Sequence, residues 1–253
     1  MNLSPRQRAM LAEMGVRVFL PEPVPGRDDV APAVLEPSVA RIQSPLTAAP
    51  LATPAARPAP VAALSSPQEG VDGLGWEALE QVVGDWASAL RRKPLFGEGD
   101  RQPDWLCVGD PPVEEELRRG APFAGDEGKL LDNMLQAVGT SRRRGAYLTN
   151  AFKCRLPDDR EREAEEAARW ALVLRRQVEL LRPRVILAMG RFAVQMLLQA
   201  NEPPGRLRGR VHRYGDVPVV VTFHPKYLLH NLPDKGRAWA DLCLAKTVLR
   251  DGG

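Results

Sequence analysis

Three polar side chains stand just beyond short apolar runs, each near a turn signal: Asp110 in VGDPPVEEE, Asn150 in YLTNAFKCRLP and His224 in TFHPKYLLHN. A carboxylate and an imidazole can hold or move protons, and a carboxamide offers a donor beside an acceptor. Each also has a plainer use: Asp110 as a turn acid, Asn150 as a turn cap, His224 as a structural histidine. Three such residues at the ends of three separate runs point to one crevice on which they converge.

The elements that would position them follow from the apolar pattern. Trp105–Val108, Ala146–Thr149, Val185–Met189 and Val217–Phe223 are short apolar runs bounded by turn residues and predict buried strands. Helical periodicity covers Trp76–Leu90, Leu130–Val138, Glu161–Leu181, Arg191–Leu198 and Gly236–Leu249. Strands alternating with helices predict one three-layer α/β/α domain around a central four-stranded parallel sheet. Ligands of such sheets bind beyond the carboxyl ends of the strands. Asp110, Asn150, Gly190 and His224 all fall there.

Composition narrows the class. The chain has 253 residues, 44% hydrophobic and 26% charged, as in ordinary globular proteins. No apolar run approaches the length of a membrane span, and residues 1–20 lack the continuous apolar stretch of a signal peptide. Three cysteines, at 107, 154 and 243, suggest no disulfide framework and fit a reducing cytoplasm. A net charge of +3 permits nucleic-acid binding without requiring it.

Twelve of the 24 prolines lie in the first 70 residues, and Leu20–Gly70 contains no aromatic residue. Such a segment buries too little to offset its chain entropy, so residues 21–72 are expected to be a disordered linker and 73–253 the folded domain. Ahead of it, residues 1–20 predict a short helical docking peptide: Ser4 can cap, Pro5 suits the first turn, and Met10, Leu11 and Met14 recur at helical spacing before Gly15.

Five blocks in one order resemble the uracil-DNA glycosylase superfamily, in particular its thermophile-type family four. They are WLCVGDPPVEEE, GAPFAGDEGKLLDNML, YLTNAFKCRLP, LLRPRVILAMGRFAVQMLL and VTFHPKYLLHNLPDKGRAWADL, together spanning about residues 76–250. The resemblance implies an enzyme that hydrolyses the N-glycosidic bond of uracil in DNA after flipping the base into a pocket. Phe123 would stack on the base, and Asn150 would read its Watson–Crick edge, with Glu116 also in the substrate-binding set. His224 would stabilise the anion building on the uracil O2, and Asp110 would activate a water at the sugar. In the loop Lys226–Asn231, Tyr227, Leu228 and Leu229 are candidate wedges. Lys226, Lys235, Arg208 and Arg210 are candidate phosphate contacts, although RLRGRVHR could equally be a solvated basic strand pair. The family implies a monomer.

Two departures from the family pattern bear on chemistry. Its iron–sulfur cluster needs four thiolates. Cys154 occupies one ligand position, but Val82, Asp85 and Trp170 occupy the others, so no cluster, metal or other cofactor is expected. The first-motif glutamate is Asp110, Pro111 removes an N–H, and Val113 stands in place of a glycine. The base-binding half of the pattern is intact and the water-activating half altered, which implies an activity reduced, redirected or absent. The N-terminal peptide resembles the start of the psi subunit of bacterial DNA polymerase III. Arg6, Arg8, Leu11, Met14 and Phe19 match its binding segment for the chi subunit. That likeness implies an alternative: a non-catalytic, glycosylase-fold protein bound to the clamp loader through residues 4–19.

Overall fold

The computed structural model describes residues 71–157 and 160–251. The proposed docking peptide and nearly all of the proposed linker lie outside them. Val71 is fully buried and Asp72 pairs with Arg175, so the folded part already includes the last two residues assigned to the linker.

The described elements run in the order α1 (Trp76–Ala89), β1 (Glu98–Gly99), β2 (Trp105–Gly109), α2 (Glu114–Arg119), α3 (Gly125–Ala137), β3 (Ala146–Asn150) and α4 (Arg160–Leu181). They continue with β4 (Val185–Met189), α5 (Arg191–Leu198), α6 (Pro204–Leu207), β5 (Val211–Tyr214) and β6 (Val217–Thr222). The last are α7 (Pro225–His230), a 3-10 turn at Leu232–Asp234, and α8 (Lys235–Asp251). One sheet has the order β1-β3-β2-β4-β6-β5. Its central four strands are mutually parallel and correspond to the four apolar runs.

The expected four-stranded sheet is thus a six-stranded one, closed at both edges by antiparallel strands. β1 is only two residues long, too short to carry a period. β5, VHRY, alternates between exposed and half-buried positions and lacks the apolar run of a buried strand. Strands β2, β3 and β4 are buried along their whole length because helices cover both faces. One core, beneath α1, α4 and α5, includes Leu79, Trp170, Val173 and Val194. The other, beneath α3 and α8, includes Leu131, Met134, Trp239 and Leu242. No helix among the described residues is long and apolar enough to cross a membrane.

Candidate active site

The parallel register places Asn150 opposite Gly109 and brings the carboxyl ends of β2, β3, β4 and β6 to one edge. Asp110, Asn150, Gly190 and His224 emerge there. Side-chain bonds then give each a distinct environment.

Asn150 is 1% exposed. Its Nδ2 donates to the Asp110 carbonyl at 2.9 Å and lies 3.5 Å from Glu116 Oε1. Those partners fix the amide's orientation. Its Oδ1 is buried and has no hydrogen-bond partner. A buried acceptor left bare costs about 1–3 kcal/mol, so it marks a position prepared for a donor.

Glu116 builds the same corner from below. Its Oε2 accepts the Val113 N–H at 2.8 Å and its Oε1 accepts the Phe123 N–H at 2.5 Å. The first bond reaches back to the start of α2, as the acidic member of a capping box does. Burial raises the Glu116 pKa, against the opposing pull of these backbone donors. Glu116 therefore organises the loop carrying Phe123 and steadies the Asn150 amide. Val113 has an extended backbone, with φ −91°, which a β-branched residue adopts readily. Replacing a glycine there imposes no strain.

Phe123 occupies a left-handed conformation, φ 51°, uncommon for an aromatic residue. Its ring packs so closely over Gly109 that a Cβ there would collide with it, which is why β2 ends in glycine. The other neighbour is His224, stacked on the ring with centroids 5.4 Å apart. Phe123 is 1% exposed, so a base reaches its face only when the side chains above it give way.

His224 is the N-cap of α7, where the sequence suggested a loop. Its Nδ1 accepts the Lys226 N–H at 3.2 Å. That bond assigns the ring proton to Nε2. Burial, assisted by the Lys226 charge, lowers its pKa to about 4, so the ring is neutral at physiological pH.

Asp110 differs from these groups. Its Oδ1 accepts the Phe192 N–H at 2.8 Å, and the Arg191 and Ala193 amides add their pull on the carboxylate. The carboxylate thus caps the first turn of α5. Gly190 accommodates it: φ there is 105°, and a Cβ would collide with the Asp110 carboxylate. Burial still raises the Asp110 pKa despite these donors.

The structure spreads the candidate wedges and phosphate contacts over different environments. Leu228 is 1% exposed and packs into the core beneath α3, because it faces inward from α7. Tyr227 stacks on Phe223 and its hydroxyl donates to Asp234 at 2.8 Å. Leu229 projects outward. Leu232, not among the candidate wedges, is the most exposed large apolar side chain among the described residues, at 58%. Arg208 faces inward. It forms a 2.7 Å ion pair with the buried Asp241, and its guanidinium lies over the Phe223 ring, so it is already engaged. Arg210, Lys226 and Lys235 keep solvent access.

Two further residues were not anticipated from the sequence. Arg142, within the basic run SRRR, reaches behind the Phe123 turn. It donates to the carbonyls of Pro122 at 2.8 Å and Phe123 at 3.0 Å while pairing with Glu98 and Asp132, each at 2.6 Å. It clamps the strained turn that presents the ring. Glu127, in the first turn of α3, is buried near Glu116 and Lys226. Burial, reinforced by the Glu116 charge, raises its pKa to about 7. Neither residue carries a sequence signal, since each acts through distant partners.

Of the residues matched above to cluster ligands, Cys154 is fully buried and packs in a core shared with Trp170, against which Val82 also packs. Trp170 makes an edge contact with Trp86. An aliphatic side chain, an indole and the carboxylate Asp85 do not supply the thiolates an iron–sulfur cluster needs. The residues present do not fit that group.

A parallel α/β sheet thus carries an amide, a neutral imidazole and a stacked aromatic ring together at its carboxyl edge. Comparison with known proteins places this architecture. The family model for the uracil DNA glycosylase superfamily matches residues 96–244. The chain is 34% identical over 167 residues to a type-4 uracil-DNA glycosylase of Thermotoga maritima, covering 64% of this chain and 86% of that one. It is 37% identical over 142 residues to the type-4 enzyme of Archaeoglobus fulgidus, covering 53% and 71%. A type-5 uracil-DNA glycosylase of Thermus thermophilus is 35% identical over 142 residues, covering 47% and 62%. The protein belongs to the uracil-DNA glycosylase superfamily.

Proposed function

We propose that this protein hydrolyses the N-glycosidic bond of uracil in DNA. The observation that carries the reading is the Asn150 amide. Its nitrogen is committed to the Asp110 carbonyl, while its buried oxygen has no partner. An acceptor fixed in this way suits the N3–H of uracil. Cytosine presents a bare N3 at that position, and a site built for a donor rejects a base that lacks one.

The bond that breaks joins N1 of the base to C1′ of deoxyribose. Its electron pair leaves with the base, and the negative charge spreads onto O2. The His224 Nε2–H, held neutral by burial, donates to that oxygen. Water adds its oxygen to C1′ and releases a proton, leaving free uracil and an abasic site. Asp110 contributes here by holding the β2 loop against the start of α5, since its carboxylate is occupied by backbone amides. The reaction needs no metal and no iron–sulfur cluster. DNA is the partner, contacted through Lys226, Lys235 and Arg210, with Leu229 at the flipped-base gap.

The decisive experiment incubates purified protein with a uracil-containing oligonucleotide, followed by alkali, beside an Asn150→Ala control. Strand cleavage that disappears in the variant supports the proposal. Absence of cleavage on both single- and double-stranded substrates overturns it. A second reading, a non-catalytic scaffold bound through residues 4–19 to a chi-like partner, draws on the occupied Asp110 carboxylate. Partner capture that persists after deletion of residues 1–20 removes it.

A further inference from the structure

The amino ends of the strands, opposite the pocket, carry two clefts of about 510 and 540 Å³. They share Gln102, Asp104 and Arg184, and so form one continuous trough beneath Trp105. Seven cationic side chains line it against three carboxylates. Arg101 and Arg250 pair with Glu77 and Asp251 just outside the lining, so the local surplus is two positive charges.

The carboxylates are already engaged. Asp100 accepts the Gln102 and Gly145 N–H groups, Asp104 pairs with Arg184, and Glu179 pairs with Arg176. Arg144, Arg182 and Lys246 are exposed and have no side-chain partner among the described residues. Helix carboxyl ends at α3, α4 and α8 favour some positive charge here, but only by about 0.3–1 kcal/mol for each cation. Helix compensation also leaves Arg182 unexplained. It follows α4 with φ 48°, a left-handed position that glycine would occupy without strain. An arginine there holds a guanidinium at the trough against a conformational cost.

The trough lacks the apolar anchors of a protein interface. The exposed large hydrophobic side chains, Val113, Val211, Tyr227, Leu229 and Leu232, are not among its lining residues. Guanidinium and ammonium groups along a groove without such anchors suit a phosphate backbone.

We infer that this trough binds the phosphodiester backbone of a second nucleic-acid segment, while the carboxyl edge of the sheet engages the first. A strand of five residues spans about 17 Å, so the two surfaces face away from each other and one straight duplex does not reach both. The protein would then bridge two DNA segments, or pass from one to another without dissociating.

The test uses the full chain and uracil-free DNA, so that it does not depend on the proposed activity. Two duplexes carrying different fluorophores are mixed with wild-type protein or with a combined Arg144→Glu, Arg182→Gly, Lys246→Glu variant. Wild type should bring the duplexes together as read by energy transfer, and the variant should not. The slope of log affinity against log salt should shrink by about 2–3 in the variant. Thermal unfolding confirms that the variant is folded, and a single variant, Arg182→Gly, should weaken bridging at undiminished stability. If wild type fails to bridge, or the folded variant bridges equally well, the inference is overturned. Capture of an acidic protein alone at the trough, with no DNA bound there, overturns it as well.

Discussion

The two halves of the candidate pocket treat their polar groups in opposite ways. On the side of Asn150 and His224, proposed to face the base, Asn150 Oδ1 is buried without a partner, and the His224 Nδ1 bond leaves the Nε2–H unengaged. On the Asp110 side, the carboxylate is taken up by the amides of α5. One half is prepared for a ligand and the other is satisfied by the fold. Binding and departure of the base, rather than activation of water by Asp110, should therefore dominate the chemistry.

The largest expected effect tests the base-facing half. His224→Ala should lower the uracil excision rate by about 10²–10³, the range for losing one donor to a developing anion. Nitrogen-detected NMR of the wild type should show a neutral Nε2–H ring with a midpoint near 4. A ring that titrates near 6.5 would undo the assigned role.

Next comes the clamp behind Phe123. Arg142→Ala removes the cation paired with the part-exposed Glu98 and Asp132 and bonded to two carbonyls, and should cost about 1–2 kcal/mol in urea unfolding. Arg142→Lys should recover part of the stability but little of the excision rate, because one ammonium cannot span the same carbonyls and carboxylates.

Glu127 gives a smaller effect with a defined sign. Its pKa is raised from 4.5 to about 7, so the folded state holds extra protons between those values. Its contribution to stability is fully present below about pH 4.5 and is lost as pH rises through 7. Glu127→Gln should therefore stabilise the protein at pH 8, by about 1–3 kcal/mol, with little change at pH 4.5. His224, with its lowered pKa, has the opposite slope: its contribution is lost as pH falls from 6.5 toward 4. The Gln variant should accordingly show a steeper acid-side decline than wild type in pH-dependent urea titrations.

The smallest effect is the sharpest test of the contrast. Asp110→Asn keeps an oxygen that can accept from the α5 amides, so excision should fall by less than about tenfold and helix capping by about 1 kcal/mol or less. A thousandfold loss with unchanged stability would show that the carboxylate activates water after all, and the two halves would then act alike.

The central four parallel strands are legible in the residue pattern alone, because each is an apolar run buried in the sheet and bounded by turn residues. Asp110, Asn150 and His224 are marked in the same way, since residues at strand ends reach the crevice whatever the details of packing. Other features depend on how the elements pack. The edge strands are too short or too polar to show a period. Leu228 and Leu229 are neighbours of the same type, and only the docking of α7 on α3 sends one inward and the other out. Arg208 and Arg142 look like solvated cations until distant carboxylates meet them. Asp110 reads from the sequence as a group that activates water, and only the fold shows that α5, 82 residues further on, brings its amides to the carboxylate. Local pattern reports burial and chain direction, whereas the partner of a charged group is chosen by contacts between elements far apart in the chain.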